Sequence, residues 1–297
     1  MVLETTLRPS RPYSLALSAR AAGDATRVFR DGVLTLVFES DGAPALARVR
    51  QRPDGTLAVR VESSRAEGAL ERLRFVLACD DDLEPFYRLF AGDRLLGEAI
   101  RRLRGLRPLR SATVAHALLK AVCGQLVQAR EAKRIEARLL LLASPEHGGL
   151  RLPPTRTTFA RFSPAELARH GLVLRKSTTL VRLSRELELE RLHGVPTEAA
   201  AARIERERGL GPWSAGVICL KGLGRYERGL VGDLGLIKLA AALRGRRATA
   251  EDTRDLLEPY SEWAGLASVY LLAGPARPSR ARAAPGTGSR PGSSRGR

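Results

Sequence analysis

The sequence predicts a mostly α fold with an N-terminal α+β domain, in which an antiparallel sheet comes first and an all-α domain follows. Three observations carry this. Asp31-Gly32, Asp41-Gly42 and Asp54-Gly55 each lie beside short β-branched stretches, and Asp-Gly suits hairpins because both residues tolerate positive φ. Leu57-Ala58-Val59-Arg60-Val61-Glu62 alternates apolar and polar, the pattern of a half-buried strand. After Pro108 the strand signal nearly disappears and apolar residues recur at three- and four-residue spacing.

Taken in order, residues 12–63 read as strands joined by tight turns, with helices over Ala66–Leu77 and Leu83–Leu103. Thr113–Cys123 and Gln128–Ala143 read as helices separated by Gly124. Further helices are expected at Pro164–His170, Ser177–Leu187, Thr197–Glu207, Trp213–Gly222, Asp233–Leu243 and Thr249–Ala273. The expected layout is an α+β domain over 1–104, an all-α domain over 105–274 and a tail over 275–297. That tail is Pro, Gly, Ser, Ala and Arg with one Thr, a composition that cannot bury a core and should be disordered.

With 297 residues and 44% hydrophobic content the chain can build real cores. Its longest apolar runs, such as Leu139 to Ala143, fall far short of the roughly 20 residues of a membrane span. The start, MVLETTLRPSRP, has no apolar signal core, so a soluble, cytoplasmic protein is expected. Cys79, Cys123 and Cys219 are scattered without a CxxC pair; buried reduced thiols are expected, and neither a metal nor a cofactor. The net charge is +18, carried mainly by arginine; the tail holds six of those charges, leaving +12 on residues 1–274. A globular body that basic is expected to meet polyanions, nucleic acid first.

The stretch GLGPWSAGVICLKGLGRYERGLVGDLGLIK, Gly209 to Lys238, holds the most specific signal. A dinucleotide-binding loop needs GxGxxG after a strand; here Ser214 breaks the pattern and the preceding segment is helical. A Walker loop needs GxxxxGK followed by Ser or Thr, which is absent. Two readings remain: a hairpin between helices whose amides hold a DNA phosphate, or a glycine C-cap between one helix and the next.

Gly209-Leu210-Gly211-Pro212-Trp213-Ser214-Ala215 followed by Val231 to Lys238 resembles the signature of the helix-hairpin-helix DNA glycosylase superfamily. Within it, the chain looks closest to the bacterial inducible 3-methyladenine DNA glycosylases, and HALLKAVCGQLVQAREAKRI matches the family's helix–Gly-Gln-Leu–helix segment. The resemblance covers about Arg104 to Ala273 well and the N-terminal region more loosely. It implies a catalytic aspartate at Asp233, opening a helix with Lys238 five residues on. A carboxylate there would stabilise the positive charge that builds on the sugar as the bond to the base breaks; taken alone, Asp233 would also serve as a plain helix N-cap.

The same resemblance sets Trp213 where bifunctional members carry a nucleophilic lysine, which implies no lyase activity and an aromatic face for a cationic base. It puts Val217 and Leu234 in the base pocket, Gln125 and Leu126 at the wedge that fills the stack, and Gly209, Leu210, Gly211 and Lys238 on DNA. Glu207 departs from the pattern where an apolar residue is common, and Ala267 where an arginine is usual; Tyr270 and Trp263 are the aromatics left near the C-terminus. The expected protein is a monomeric, monofunctional glycosylase acting on alkylated purines in double-stranded DNA, cytoplasmic and nucleoid-associated. Glycosylases for oxidised guanine or deaminated purines, and a non-catalytic DNA-binding protein, are the alternatives. His116, His147, His170 and His193 lack a nucleophile motif and are expected to be structural or on the surface.

Overall fold

In the computed structural model, which describes residues 1–274, a six-stranded antiparallel sheet is followed by a run of helices. The strands are β1 (Val2–Leu7), β2 (Gly23–Asp24), β3 (Arg27–Arg30), β4 (Val33–Ser40), β5 (Ala43–Gln51) and β6 (Leu57–Ser63), in the order β1-β6-β5-β4-β3-β2. Asp31-Gly32 and Asp41-Gly42 form two-residue turns with positive φ at both positions, which matches the right-handed twist of the strands they join. Leu57, Val59 and Val61 turn inward while Arg60 faces solvent. Two features lie outside the strand reading of 12–63. β1 pairs with β6 from further upstream, and Leu15–Ala19 is a helix, α1, capped by Ser14.

The remaining helices are α2 (Ala66–Val76), α3 (Glu84–Phe90), α4 (Gly97–Arg102), α5 (Val114–Gly124), α6 (Ala129–Ala143), α7 (Arg156–Ala160), α8 (Pro164–Arg169), α9 (Leu174–Glu186), α10 (Thr197–Glu205), α11 (Pro212–Ile218), α12 (Leu234–Arg244), α13 (Ala250–Leu257) and α14 (Ala264–Ala273). Between α6 and α7 lies a small hairpin, β7 (Glu146–His147) with β8 (Leu150–Arg151). Two long helices expected from periodicity are broken. The Leu83–Leu103 segment turns at Asp93, whose carboxylate accepts from the Leu95 and Leu96 amides and restarts the chain as α4. The Thr249–Ala273 segment passes through a 3₁₀ stretch, Glu258–Trp263, with Pro259 near its start and Ser261 at φ +42°.

Three large apolar cores result, with a small fourth cluster of Val37, Leu46 and Leu152 between the sheet and the β7–β8 hairpin. One lies between the sheet and α2. A second is built from α5, α6 and α7–α11. The third joins α3 and α4 to α12, α13 and α14, so residues 83–106 pack with the C-terminal helices rather than with the sheet that precedes them. Tyr270 belongs to this third core. Its hydroxyl is within hydrogen-bond distance of the Tyr87 hydroxyl and donates to the Leu103 and Leu106 carbonyls, binding α14 to the segment that holds α3 and α4. The expected tail over 275–297 lies outside the described residues.

Candidate active site

The turn Glu207–Gly211 joins α10 to α11, and its geometry explains its glycines. Gly209 adopts φ +95°, and a Cβ there would collide with the Thr179 hydroxyl. Gly211 is the extended N-cap of α11, with Pro212 at the first helical position, where its fixed φ fits and its missing N–H is not needed. Helix first turns leave amides without intrahelical partners. Leu210, by contrast, turns into the second core, and its amide donates to the Glu207 carbonyl. Glu207 itself is buried and pairs with Arg182 and Arg203. The residue that departs from the family pattern is thus a charged clamp on the first hairpin helix.

One helical register onward, Trp213, Val217 and Lys221 share a face that lines a cavity of about 940 Å³, at the upper end of the size range of ligand pockets. The opposite rim is α12. Asp233 is its N-cap: one carboxylate oxygen accepts from the Gly235 amide at 2.7 Å, the other from the Trp213 indole N–H at 3.0 Å. Gly232, at φ +87° with its amide on Thr253 Oγ1, delivers Asp233 into that position. Among the described residues Asp233 makes no ion pair, and both of its donors are neutral. The positive end of the α12 dipole and its first-turn amides point at this carboxylate.

Trp213 is fixed from two sides. Its indole nitrogen is held by Asp233, and its six-membered ring lies so close to Gly124 that a Cβ on that glycine would come within 2.6 Å. Gly124 ends α5, and the chain leaves it through Gln125 and Leu126. These two diverge. Gln125 turns inward and donates to the Gly209 carbonyl (2.8 Å) and to Ser214 (3.1 Å), tying the α5–α6 junction to the hairpin. Leu126 is 88% exposed and sits at φ +56°, a conformation that costs a non-glycine residue roughly 1–2 kcal/mol.

The cavity therefore gathers Gln125, Leu126, Gly211, Trp213, Val217, Asp233, Leu234 and Lys238, while Gly209 and Leu210 lie behind it. Val269 and Leu272 line the side where a C-terminal aromatic was sought; Trp263 instead stacks on Tyr226 in the third core. A second wall has no local signal in the sequence. It is built by Asp24, Arg27, Lys120, Glu136 and Lys221 from four separate segments. Lys120 donates to both Asp24 and Glu136, Arg27 donates to Asp24, and His116 meets Glu136 at 2.8 Å.

Neighbouring charge sets the titration of this wall. The Lys120 ammonium and His116 hold the Glu136 carboxyl at about 2 against its burial, and Asp24 is held well below the usual carboxylate range by Lys120 and Arg27. Burial lowers His116 and keeps it neutral. Asp24, His116 and Glu136 converge closely enough to suggest a cation site, but the Lys120 ammonium already sits on both carboxylates.

A relative from Bacillus subtilis, a DNA-3-methyladenine glycosylase, is 27% identical over 222 residues, covering 71% of this chain and 73% of that protein. A probable bifunctional transcriptional activator/DNA repair enzyme AlkA from Mycobacterium tuberculosis is 27% identical over 68% of this chain, which spans 42% of the relative. Among solved structures, a 3-methyladenine DNA glycosylase from Archaeoglobus fulgidus superposes with a TM-score of 0.79 at 22% identity, covering 91% of this chain and 97% of that one. An 8-oxoguanine glycosylase/lyase from Clostridium acetobutylicum, in complex with double-stranded DNA, superposes at 0.74 with 17% identity over 92% of this chain and 96% of the other. The superpositions establish the shared fold. No protein-family model matches the chain.

Proposed function

We propose that this chain, which belongs with the helix-hairpin-helix DNA glycosylases, is a monofunctional base-excision enzyme that hydrolyses the N-glycosidic bond of an alkylated purine flipped out of duplex DNA. The observation that carries this reading is a carboxylate, Asp233, left without a cationic partner among the described residues, at the rim of a cavity and bonded to the indole that faces it. The name of the Bacillus subtilis relative supports 3-methyladenine-type lesions as the substrate class.

The chemistry follows from what each group can do. Glycosidic cleavage builds positive charge on the sugar ring, and a fixed anion beneath it lowers the barrier while an adjacent water attacks. Asp233 is that anion and can accept the water's proton. Trp213 supplies a π face, which favours the positive charge that alkylation places on purines. Because its indole cannot form a Schiff base, the product is an abasic site with an unbroken strand. Extruding the base leaves a gap in the duplex, and Leu126, projecting into solvent from a strained backbone, is the side chain placed to fill it. Lys238, exposed on α12, and the free amides of the hairpin hold the phosphates on either side. The enzyme works as a monomer, in the cytoplasm, on chromosomal DNA.

The test is incubation with methylated duplex DNA, followed by chromatography of released bases and alkaline cleavage of abasic sites. Free methylated purine and alkali-dependent strand breaks are expected, with no protein–DNA adduct trapped by borohydride. No released base would reject the enzymatic reading; a trapped adduct would reject the monofunctional one.

A further inference from the structure

The second wall of the cavity contains three basic side chains, and their hydrogen bonds differ. Lys120 is committed to Asp24 and Glu136. Arg27 gives its Nε to Asp24 and one terminal nitrogen to the Arg110 carbonyl. Lys221 makes no ion pair among the described residues; its Nζ has a single long contact, 3.4 Å to the Leu109 carbonyl. It is half-buried and lines the cavity.

Its position along the cavity follows from the helix. Trp213 marks the level of Asp233, and Val217 and Lys221 succeed it on the same face, Lys221 within the π-helical turn Cys219–Leu223. At 1.5 Å per residue the Lys221 backbone lies about 12 Å beyond that of Trp213, and its side chain leans back toward the helix start. A nucleotide whose sugar reaches Asp233 and whose base lies along Trp213 and Val217 would present its edge remote from the sugar to the Lys221 amine.

We propose that Lys221 reads that remote edge as a hydrogen-bond donor, so that among alkylated purines the pocket favours those with a carbonyl oxygen there, the guanine type, over the adenine type with its exocyclic amine. This rests on the glycosylase reading of the same site. The charges at hand support it: burial, and the cations Arg27, Lys120, Arg110 and Lys133, push the Lys221 ammonium down to about 7. At that value about half of Lys221 stays protonated near neutral pH: the ammonium donates without accepting, and the site opposes a cationic methylated purine less than a fully charged lysine would. Of the two carboxylates of the wall, Asp24 is covered by donors at both oxygens and Glu136 at Oε1, by Lys120 and His116.

Methylated DNA supplies a matched pair, 3-methylguanine and 3-methyladenine, in one tube. The wild-type enzyme should release 3-methylguanine at the higher rate once each is normalised to its abundance. Lys221→Met, which keeps the length and removes the donor, should lower the guanine-to-adenine ratio about tenfold, the usual consequence of leaving a buried acceptor unpaired. Lys221→Gln keeps an N–H donor and should hold the ratio within a few-fold of wild type. An unchanged ratio in folded Lys221→Met overturns the proposal. Where that variant does not fold, a wild-type preference for 3-methyladenine overturns it instead. Failure of the wild type to release either base would reject the glycosylase reading and not this inference in particular.

Discussion

Two walls of one cavity both carry carboxylates, and they use them in opposite ways. On the hairpin side, Asp233 accepts from an amide and an indole, donors without net charge. On the opposite side, Asp24 and Glu136 share the Lys120 ammonium, with Arg27 and His116 completing their shells. A carboxylate already covered by a cation has little field left for a second positive charge. An anion oriented by neutral donors keeps its full charge and needs no reorganisation when a cation develops beside it. On the proposed reading, acidity alone does not mark the catalytic carboxylate; the absence of a counter-charge among the described residues does. The paired acids hold the sheet edge at β2 to α5 and α6, and so fix the shape of the pocket.

The largest effect separating the walls should come from Asp233→Asn. The amide preserves shape but removes the charge, and losing one focused electrostatic contact commonly lowers kcat by a hundredfold or more. Damaged-DNA binding should change little. Single-turnover excision above about a tenth of the wild-type rate would show that the uncompensated anion is not the reactive group. The contrast fails equally if Asp24→Asn, in protein shown to be folded, gives the same collapse.

How much of each wall could be read beforehand follows from chain distance. The hairpin wall is local: Gly209, Gly211, Trp213 and Asp233 fall within one stretch whose glycine spacing and helix cap have few explanations. Gly124 was legible only as a break, because its second role, clearance for the Trp213 ring, depends on a contact 89 residues away in sequence. Gln125 was expected at the wedge beside Leu126, and its inward turn depends on a carbonyl of the hairpin that no local pattern reveals. The paired wall joins residues from β2, β3, α5, α6 and the turn after α11, none of which carries a motif. Lys221 did leave a trace, since it lies four residues after Val217 on the pocket face. Strand pairing followed from the Asp-Gly turns, whereas the breaks at Asp93 and Ser261 arise from side-chain capping and tertiary strain within helical composition.

A second, smaller effect should appear in stability. The Glu136 carboxyl is held at about 2 in the folded protein against 4.5 ordinarily, and Asp24 is likewise lowered. A depressed carboxyl contributes stability above its ordinary value and loses it as pH falls toward the folded one. His116 works in the same direction, because the folded chain keeps it neutral while the unfolded chain protonates it in acid. Thermal stability of the wild type should therefore fall steeply between about pH 4.5 and 2, by on the order of 3 kcal/mol from Glu136. Glu136→Gln should melt lower at pH 7 and lose that part of the slope. Its excision rate at temperatures where it stays folded should remain within a few-fold of wild type. A hundredfold rate loss in folded Glu136→Gln would erase the distinction between the two walls.

The smallest effect concerns the mouth between them. Leu126 stands at the end of α5, beside the paired wall, yet its side chain is almost fully exposed and its φ is positive. Exposed apolar groups contribute little to folding, so Leu126→Ala should leave the melting temperature nearly unchanged. If the leucine enters the stack when the damaged nucleotide swings out, it gains apolar burial only at that step. A fully buried leucine is worth roughly 1.5–3 kcal/mol, and about 1.4 kcal/mol is a factor of ten in rate. Duplex excision by Leu126→Ala should fall about tenfold, while excision from a single strand, which has no stack to refill, should fall far less. Equal loss on both substrates would mean that Leu126 shapes the pocket rather than the DNA. The α5–α6 junction would then belong with the structural wall, and the opening of the duplex would have to be sought on the hairpin side alone.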